Sequence, residues 1–158
     1  MVSRTTKTVL VTGANGFIGQ NLVVRLRETP NISVITFTRK ENLKSLTRLV
    51  KKVDIIIHLA GVNRPDNDTE FNFVNVDLTM AVCDAIRGSG RNIAMLFASS
   101  VQSNQPTPYG QSKKLAEQTL ELFAEETGNP VSIFRLPGVF GKWCKPNYNS
   151  VVATFCHN

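Results

Sequence analysis

The sequence predicts an α/β domain built on a doubly wound parallel sheet with helices on both faces, and three observations predict it. Five short runs rich in Val, Ile, Leu and Phe alternate with longer amphipathic runs along 158 residues. A glycine-rich stretch follows the first apolar run and opens the first amphipathic one. No low-complexity segment or interdomain linker interrupts the alternation.

Residues 8–11, 33–38, 54–59, 92–98 and 131–135 are short, apolar and largely β-branched, as strands buried on both faces are. Residues 17–28, 41–52, 71–88 and 109–127 are the amphipathic runs expected as helices. Strand and helix in alternation require right-handed crossovers, and hence a parallel sheet covered on both sides. The segment joining the second and third strands is short and basic, with no strand evident inside it. Residues 61–69, with Asn, Pro and Asp, and 103–108, with two prolines, are the irregular segments expected beside a site.

Composition narrows the function. A chain 42% hydrophobic and 19% charged is enough for one packed domain. No stretch approaches the roughly 18 apolar residues of a membrane span, and the start, Met1 to Lys7, is polar. A cytoplasmic protein with no membrane partner is expected. Cys83, Cys144 and Cys156 are far apart and in no metal-ligand spacing, so ordinary thiols and no metal are expected. The net charge of +6 is scattered, with no basic run longer than two. Lys40, Lys44, Arg48 and Lys52 do recur every fourth residue, opposite Leu43, Leu46, Leu49, Val50 and Val53. That is a solvated helix face in preference to a nucleic-acid surface.

The first motif reads Thr12-Gly13-Ala14-Asn15-Gly16-Phe17-Ile18-Gly19. Its place after a strand and at the start of a helix makes the domain Rossmann-like: Gly13 takes a tight turn, Gly16 admits a pyrophosphate, and Gly19 lets the helix lie on the sheet. Cofactor choice is written after the second strand, where an acid would bind an adenosine ribose and repel a 2′-phosphate. The segment reads Phe37-Thr38-Arg39-Lys40 instead, which predicts NADPH over NADH. A charge-assisted hydrogen bond there contributes about 1.5–3 kcal/mol. The alternative is that Arg39 and Lys40 only open the basic helix.

The second motif is Tyr109-Gly110-Gln111-Ser112-Lys113, preceded by Ser99 and Ser100 at the end of a strand. A spacing of four places the phenol and the ammonium on one helix face. A phenol titrates near pH ~10, and a nearby cation is expected to favour phenolate and bring it towards acid–base work at neutral pH. Ser99 or Ser100 is positioned to hydrogen-bond the same substrate oxygen.

At these residues the sequence resembles the extended short-chain dehydrogenase/reductase family, which acts largely on nucleotide-activated sugars, and the resemblance covers nearly the whole chain. Thr12 to Gly19 is similar to its cofactor loop, and His58-Leu59-Ala60-Gly61 to the segment after its next core strand. Phe97 to Ser100 is similar to its serine strand, and Tyr109 to Lys113 to its catalytic pair. The resemblance implies Ser100 as the catalytic hydroxyl, Tyr109 as the general acid, and Lys113 as the residue that holds the nicotinamide ribose and tunes the phenol. It implies cofactor contacts from Gly13, Asn15, Gly16, Phe17, Ile18, Gly19, Arg39, Lys40, Leu59, Ala60, Gly61, Ser99, Tyr109, Lys113 and Pro137. His58 is then structural rather than catalytic.

Two longer strings, His58 to Pro65 and Phe140 to Ser150, resemble one branch of that family, the bifunctional reductase/epimerases of bacterial capsular polysaccharide synthesis. The resemblance implies NADPH-dependent reduction of the C4 ketone of a UDP-2-acetamido-2,6-dideoxy-hexos-4-ulose. Arg64, Ser100, Lys142 and Asn147 would then contact this UDP-sugar. In that branch a C-terminal zinc-containing cupin domain is associated with epimerisation, and nothing in these 158 residues resembles it. Extended reductases run to roughly twice this length. Residues 1–158 are therefore expected to be the NADP(H)-binding domain, ahead of a substrate lid and any cupin, with weak or no turnover alone.

Where many extended members carry Asn after the sixth strand, this sequence has Gly138. Dehydratases of the family usually place Asp-Glu after the catalytic hydroxyl, whereas Val101-Gln102 stand here, which argues against dehydration. A nucleotide-sugar 4-epimerase and a non-catalytic NADP(H)-binding module are the alternatives. Helices like 71–88 and 109–127 pair across a twofold axis in family homodimers, and their apolar residues also suit a monomer core.

Overall fold

Five strands form one parallel sheet in the computed structural model, which describes residues 5–65, 67, 70–148 and 150–157, the side chains of Asn72 and Phe73 excepted. They are β1 (Lys7–Thr12), β2 (Ile32–Phe37), β3 (Ile55–His58), β4 (Ala94–Ser100) and β5 (Val131–Leu136), in the order β2-β1-β3-β4-β5. All five expected strands are present. β1 pairs with both β2 and β3, so no strand intervenes between the second and third runs. The order reverses direction at β1 and β3, and the crevice beyond their carboxyl ends is where sheets of this kind take ligands.

The helices are α1 (Phe17–Arg27), α2 (Lys44–Leu49), α3 (Leu78–Ser89), α4 (Pro108–Thr127) and α5 (Val151–Phe155). Strand alternation sends Val9 and Val11 to one face, where Ala14 and Val23 close a small core with α1. It sends Leu10, Ile56, Met95 and Phe97 to the other face, against Leu46, Val82, Ile86, Leu120 and Phe123 from α2, α3 and α4. Each of these large side chains, once fully buried, contributes about 1.5–3 kcal/mol. Among the described residues no helix is long and apolar enough to cross a membrane.

Two helices differ from expectation. The basic run 41–52 is helical only from residue 44, followed by a 3₁₀ turn, Val50–Lys52. Before it, the Glu41 carboxylate accepts from the Thr38 amide and hydroxyl, both at 2.6 Å, and the Asn42 side chain accepts from the Lys44 amide at 2.9 Å. These local bonds hold residues 38–42 in turns and compete with helix. The run 71–88 begins with a π-helical segment, Phe71–Asp77, before α3. The wider winding marks a place where the helix is under local constraint.

Gly13 has φ +68°, and a Cβ there would lie 2.6 Å from the Ala60 amide nitrogen. Gly19 approaches the Gly13 carbonyl so closely that any side chain would overlap it. The motif thus brings α1, the β1 turn and the start of the loop after β3 into backbone contact. Gly13→Ala is expected to lower the unfolding free energy by roughly 2–4 kcal/mol, combining a left-handed backbone penalty with steric overlap, as read from denaturant unfolding.

Candidate active site

Tyr109, Lys113 and Ser100 converge because α4 starts close to the end of β4. Ser100 ends β4, and its hydroxyl accepts from the Gln102 amide at 3.1 Å, which turns the chain into a 3₁₀ segment, Val101–Asn104. Thr107 caps α4, accepting from the Gly110 amide at 3.0 Å, and Pro108 supplies the first helical residue. Gly110 lies against the carbonyls of Gln102 and Gln105, where a Cβ would overlap both. This close approach seats Tyr109 beside Ser100, whose hydroxyl acts on the phenol. The phenol ring packs on Phe71 at 6.0 Å between centroids.

Lys113 lies one turn further along and is 6% exposed. Its ammonium donates to the Ala98 carbonyl at 2.9 Å and sits 4.8 Å above the Phe97 ring. Burial pulls its pKa down to about 8, with Glu117 acting in the opposite sense. The phenol behaves differently from the sequence expectation. Burial pushes Tyr109 above the usual phenol range, and the neighbouring Ser100 hydroxyl opposes this only in part. The Lys113 ammonium does not reverse the effect because it is turned towards the Ala98 carbonyl and the Phe97 ring. A phenol held protonated is a proton donor, which is the general-acid role.

A chain of buried polar groups joins this cluster to the glycine turn. The Ala60 amide donates to the Thr12 hydroxyl at 3.2 Å, and that hydroxyl lies 2.6 Å from His58 Nδ1. His58 Nε2 is 3.0 Å from the Thr79 hydroxyl, which donates to the Asn75 carbonyl at 2.8 Å. These partners assign the tautomer: Nε2 carries the hydrogen and Nδ1 accepts from Thr12. Asn75 holds the Val62 amide and carbonyl at 2.9 and 3.0 Å and donates to the Ser112 hydroxyl of α4 at 2.9 Å. A side chain at Gly61 would come within 3.2 Å of Lys113 Nζ, so the backbone there faces the lysine.

The other residues singled out by sequence fall in three places. Asn15, Gly16, Phe17 and Ile18 form the turn into α1, with Gly16 as its extended N-cap. Arg39 and Lys40 follow β2 at the edge of the sheet and are exposed. Leu59 leaves β3 donating to the Thr12 carbonyl at 3.3 Å. The Ser99 hydroxyl does not face this crevice, because it donates to the Glu117 carboxylate on the α4 side. Pro137 follows β5 and leads into a strap in which the Lys142 carbonyl accepts from Asn21 of α1 at 2.8 Å. In the strap Lys142 lies over Trp143, and Tyr148 donates to Asn63 at 3.0 Å beneath the Arg64 guanidinium. Asn147 donates its amide to Thr154 of α5 at 2.9 Å. Residues 66, 68 and 69 of the loop and 149 of the later string lie outside the described residues.

Sequence reasoning missed Asn75, Glu117 and Glu41. Asn75 had a signal: a polar amide between Val74 and Val76 is costly to bury unless it is fully bonded. Glu41 corrects the reading of the β2 end as free of acids, since its carboxylate folds back onto Thr38.

His58 is wholly buried, and burial first, then the Lys113 charge, pulls its pKa from 6.5 to about 3. Below pH 6.5 the unfolded chain takes up a proton there that the native state refuses. Stability is therefore expected to fall as the pH drops from 6.5 towards 3. His58→Gln is expected to remove about one proton from that dependence, measured by unfolding across the same pH range.

The model of the NAD dependent epimerase/dehydratase family matches residues 9–158. UDP-2-acetamido-2,6-beta-L-arabino-hexul-4-ose reductase of Pseudomonas aeruginosa is 54% identical over 150 residues, 95% of this chain and 40% of that protein. Human dTDP-D-glucose 4,6-dehydratase is 28% identical over 85% of this chain and 52% of its own. The crystal structure of capsular polysaccharide assembling protein CapF from Staphylococcus aureus superposes with TM-score 0.81 at 46% identity, over 94% of this chain and 40% of that one. UDP-glucuronic acid 4-epimerase of Bacillus cereus, in complex with NAD, has TM-score 0.79 at 18% identity over 89% of this chain and 60% of its own, a likeness of fold alone. The chain thus spans about 40% of the length of the Pseudomonas aeruginosa reductase. Glycine turn, serine strand and tyrosine–lysine helix stand in one matched stretch of sequence, and the chain belongs to the NAD dependent epimerase/dehydratase family.

Proposed function

We propose that this chain is the NADP(H)-binding portion of a cytoplasmic nucleotide-sugar reductase. Its reaction is reduction of the C4 ketone of a UDP-2-acetamido-2,6-dideoxy-hexos-4-ulose, in the synthesis of a capsular or surface polysaccharide precursor. The observation that carries this reading is the Ser100–Tyr109–Lys113 cluster, joined by buried hydrogen bonds to the turn at Gly13. The relative at 54% identity bears the name of such a reductase.

The residues present fit a dinucleotide. Gly13 and Ala60 pack backbone to backbone, Gly16 and Gly61 are exposed and present backbone with no side chain, and the first amides of α1 point out of the helix without intrahelical partners, as anion binding requires. When bound, NADPH supplies a hydride to the carbonyl carbon. Tyr109 donates its phenolic proton to the oxygen as negative charge develops there. Ser100 hydrogen-bonds the same oxygen. Lys113 holds the ribose through its ammonium. Arg64, Lys142 and Asn147 supply the UDP-sugar contacts, supported by the strap that brings Tyr148 onto Asn63 and Arg64.

Arg39 and Lys40 select the 2′-phosphate of NADPH. In support, both are exposed, and the Glu41 carboxylate beside them is engaged chiefly by Thr38, with Lys40 the least of its influences. A homodimer through α3 and α4 belongs to the same reading, supported by the exposure of Met80, Leu115 and Leu122.

NADPH at one hundred times its dissociation constant stabilises a binding protein by about 2.7 kcal/mol. A larger thermal shift with NADPH than with NADH is expected, and Arg39→Ala should reduce the preference roughly tenfold or more. An unchanged preference in Arg39→Ala would return Arg39 to the role of a solvated turn residue. Tyr109→Phe should leave the NADPH shift intact and slow NADPH oxidation by the UDP-keto-sugar by about 10²–10⁴-fold. Interconversion of sugars without net NADPH consumption would identify an epimerase instead.

A further inference from the structure

α4 carries a third polar residue on the face that holds Tyr109 and Lys113. Glu117 is 2% exposed and is the one buried carboxylate among the described residues. Tyr109, Lys113 and Glu117 recur every fourth position, and their contacts run along the last residues of β4. Tyr109 meets Ser100, Lys113 meets the Ala98 carbonyl and the Phe97 ring, and Glu117 accepts from the Ser99 hydroxyl. The same carboxylate takes the Arg135 guanidinium at 3.0 Å from Nε and 2.7 Å from Nη2. Ser99 and Arg135 are register partners on β4 and β5, so one carboxylate ties α4 to both strands at a single level.

We infer that Glu117 is the positioning residue of this site, clamping the ends of β4 and β5 to α4 so that Ser100 meets Tyr109, and serving as the countercharge of the buried Lys113. The inference rests on the reading of Ser100, Tyr109 and Lys113 as the catalytic group. A buried carboxylate is tolerated only when its oxygens are fully bonded, and Ser99 with Arg135 meets that condition. Burial raises the Glu117 carboxyl, and the bonds from Arg135 and then Ser99 outweigh it, leaving the group below its usual range and ionised. The titratable groups coupled to Lys113 are His58 from β3, held neutral, and Glu117, one turn further along the same face of α4, whose other partner is Arg135 of β5. Glu117 is therefore the anion that offsets the burial of the ammonium.

The test is the titration of Lys113 in the full chain, followed by NMR of its labelled ε-methylene from pH ~6 to ~11. Glu117→Gln should move the midpoint to lower pH by about one unit or more, and Glu117→Asp should restore much of it. Arg135→Gln, which frees the carboxylate from its fork, should move the midpoint to higher pH. Opposite displacements support the inference, since a structural brace would lower the melting temperature in both variants and leave Lys113 unmoved. An unmoved midpoint overturns it. If Glu117→Gln does not fold, Arg135→Gln decides alone: a rise supports the countercharge and no rise overturns it. The titration needs neither cofactor nor sugar. A chain that binds no dinucleotide would defeat the functional reading while Lys113 still decides the role of Glu117.

Discussion

The carboxyl ends of the strands depend on a set of buried polar groups that are satisfied only all together. His58 sits between Thr12 and Thr79, and each of its nitrogens has one partner of the right kind when the ring is neutral. Protonation would turn Nδ1 into a second donor facing a hydroxyl that already accepts from Ala60. A buried polar group left unpaired costs about 1–3 kcal/mol, so the network favours one arrangement of four separate segments. Those segments are the β1 turn, the end of β3, the π-helical run before α3, and α4 through Asn75 and Ser112. The glycine turn and the tyrosine–lysine helix lie about ninety residues apart in the sequence, and this network fixes one against the other.

How much of this was legible in the sequence follows from where the signals are local. Apolar runs made all five strands readable, but burial on both faces does not hold for β5, an edge strand with no buried residue and with Phe134 half exposed. The spacing Gly13, Gly16, Gly19 and the four-residue step from Tyr109 to Lys113 are short-range patterns that survive folding unchanged. The shortness of α2 was not legible, because helical spacing over 41–52 says nothing of the Thr38–Glu41 bonds that compete with it. Nor was the role of Asn75, whose partners at Val62 and Ser112 lie 13 and 37 residues away. Glu117 reads in sequence as one more charge on an amphipathic helix. Only the register of Ser99 with Arg135 shows why it is buried.

The electrostatics of the cluster also could not be read from spacing. A lysine four residues from a tyrosine suggests a depressed phenol. The fold instead removes water from both, raising the phenol and lowering the ammonium. The two ordinary values are thereby drawn from near coincidence into separate ranges, which suits a division of labour: the tyrosine keeps a proton to give, and the lysine stays responsive to charge in the cleft. Alkaline pH would then act on the lysine before the tyrosine.

At the other end of the crevice the balance is set differently, by exposed charges that water screens. Arg39 and Lys40 bring two positive charges to the end of β2, and Glu41 returns one negative charge to the same turn. Were Glu41 free, it would stand close to any anion that those cations attract. Its carboxylate is instead bonded to the Thr38 amide and hydroxyl, which draws its negative charge towards the backbone of the turn. The same bonds end β2 sharply and replace the first turn of the expected helix. A local hydrogen-bonding preference thus shapes the crossover and leaves Arg39 and Lys40 outside the helix. On the proposed reading of Arg39 and Lys40, cofactor choice would depend on how firmly the turn holds its own acid as well as on the cations beside it.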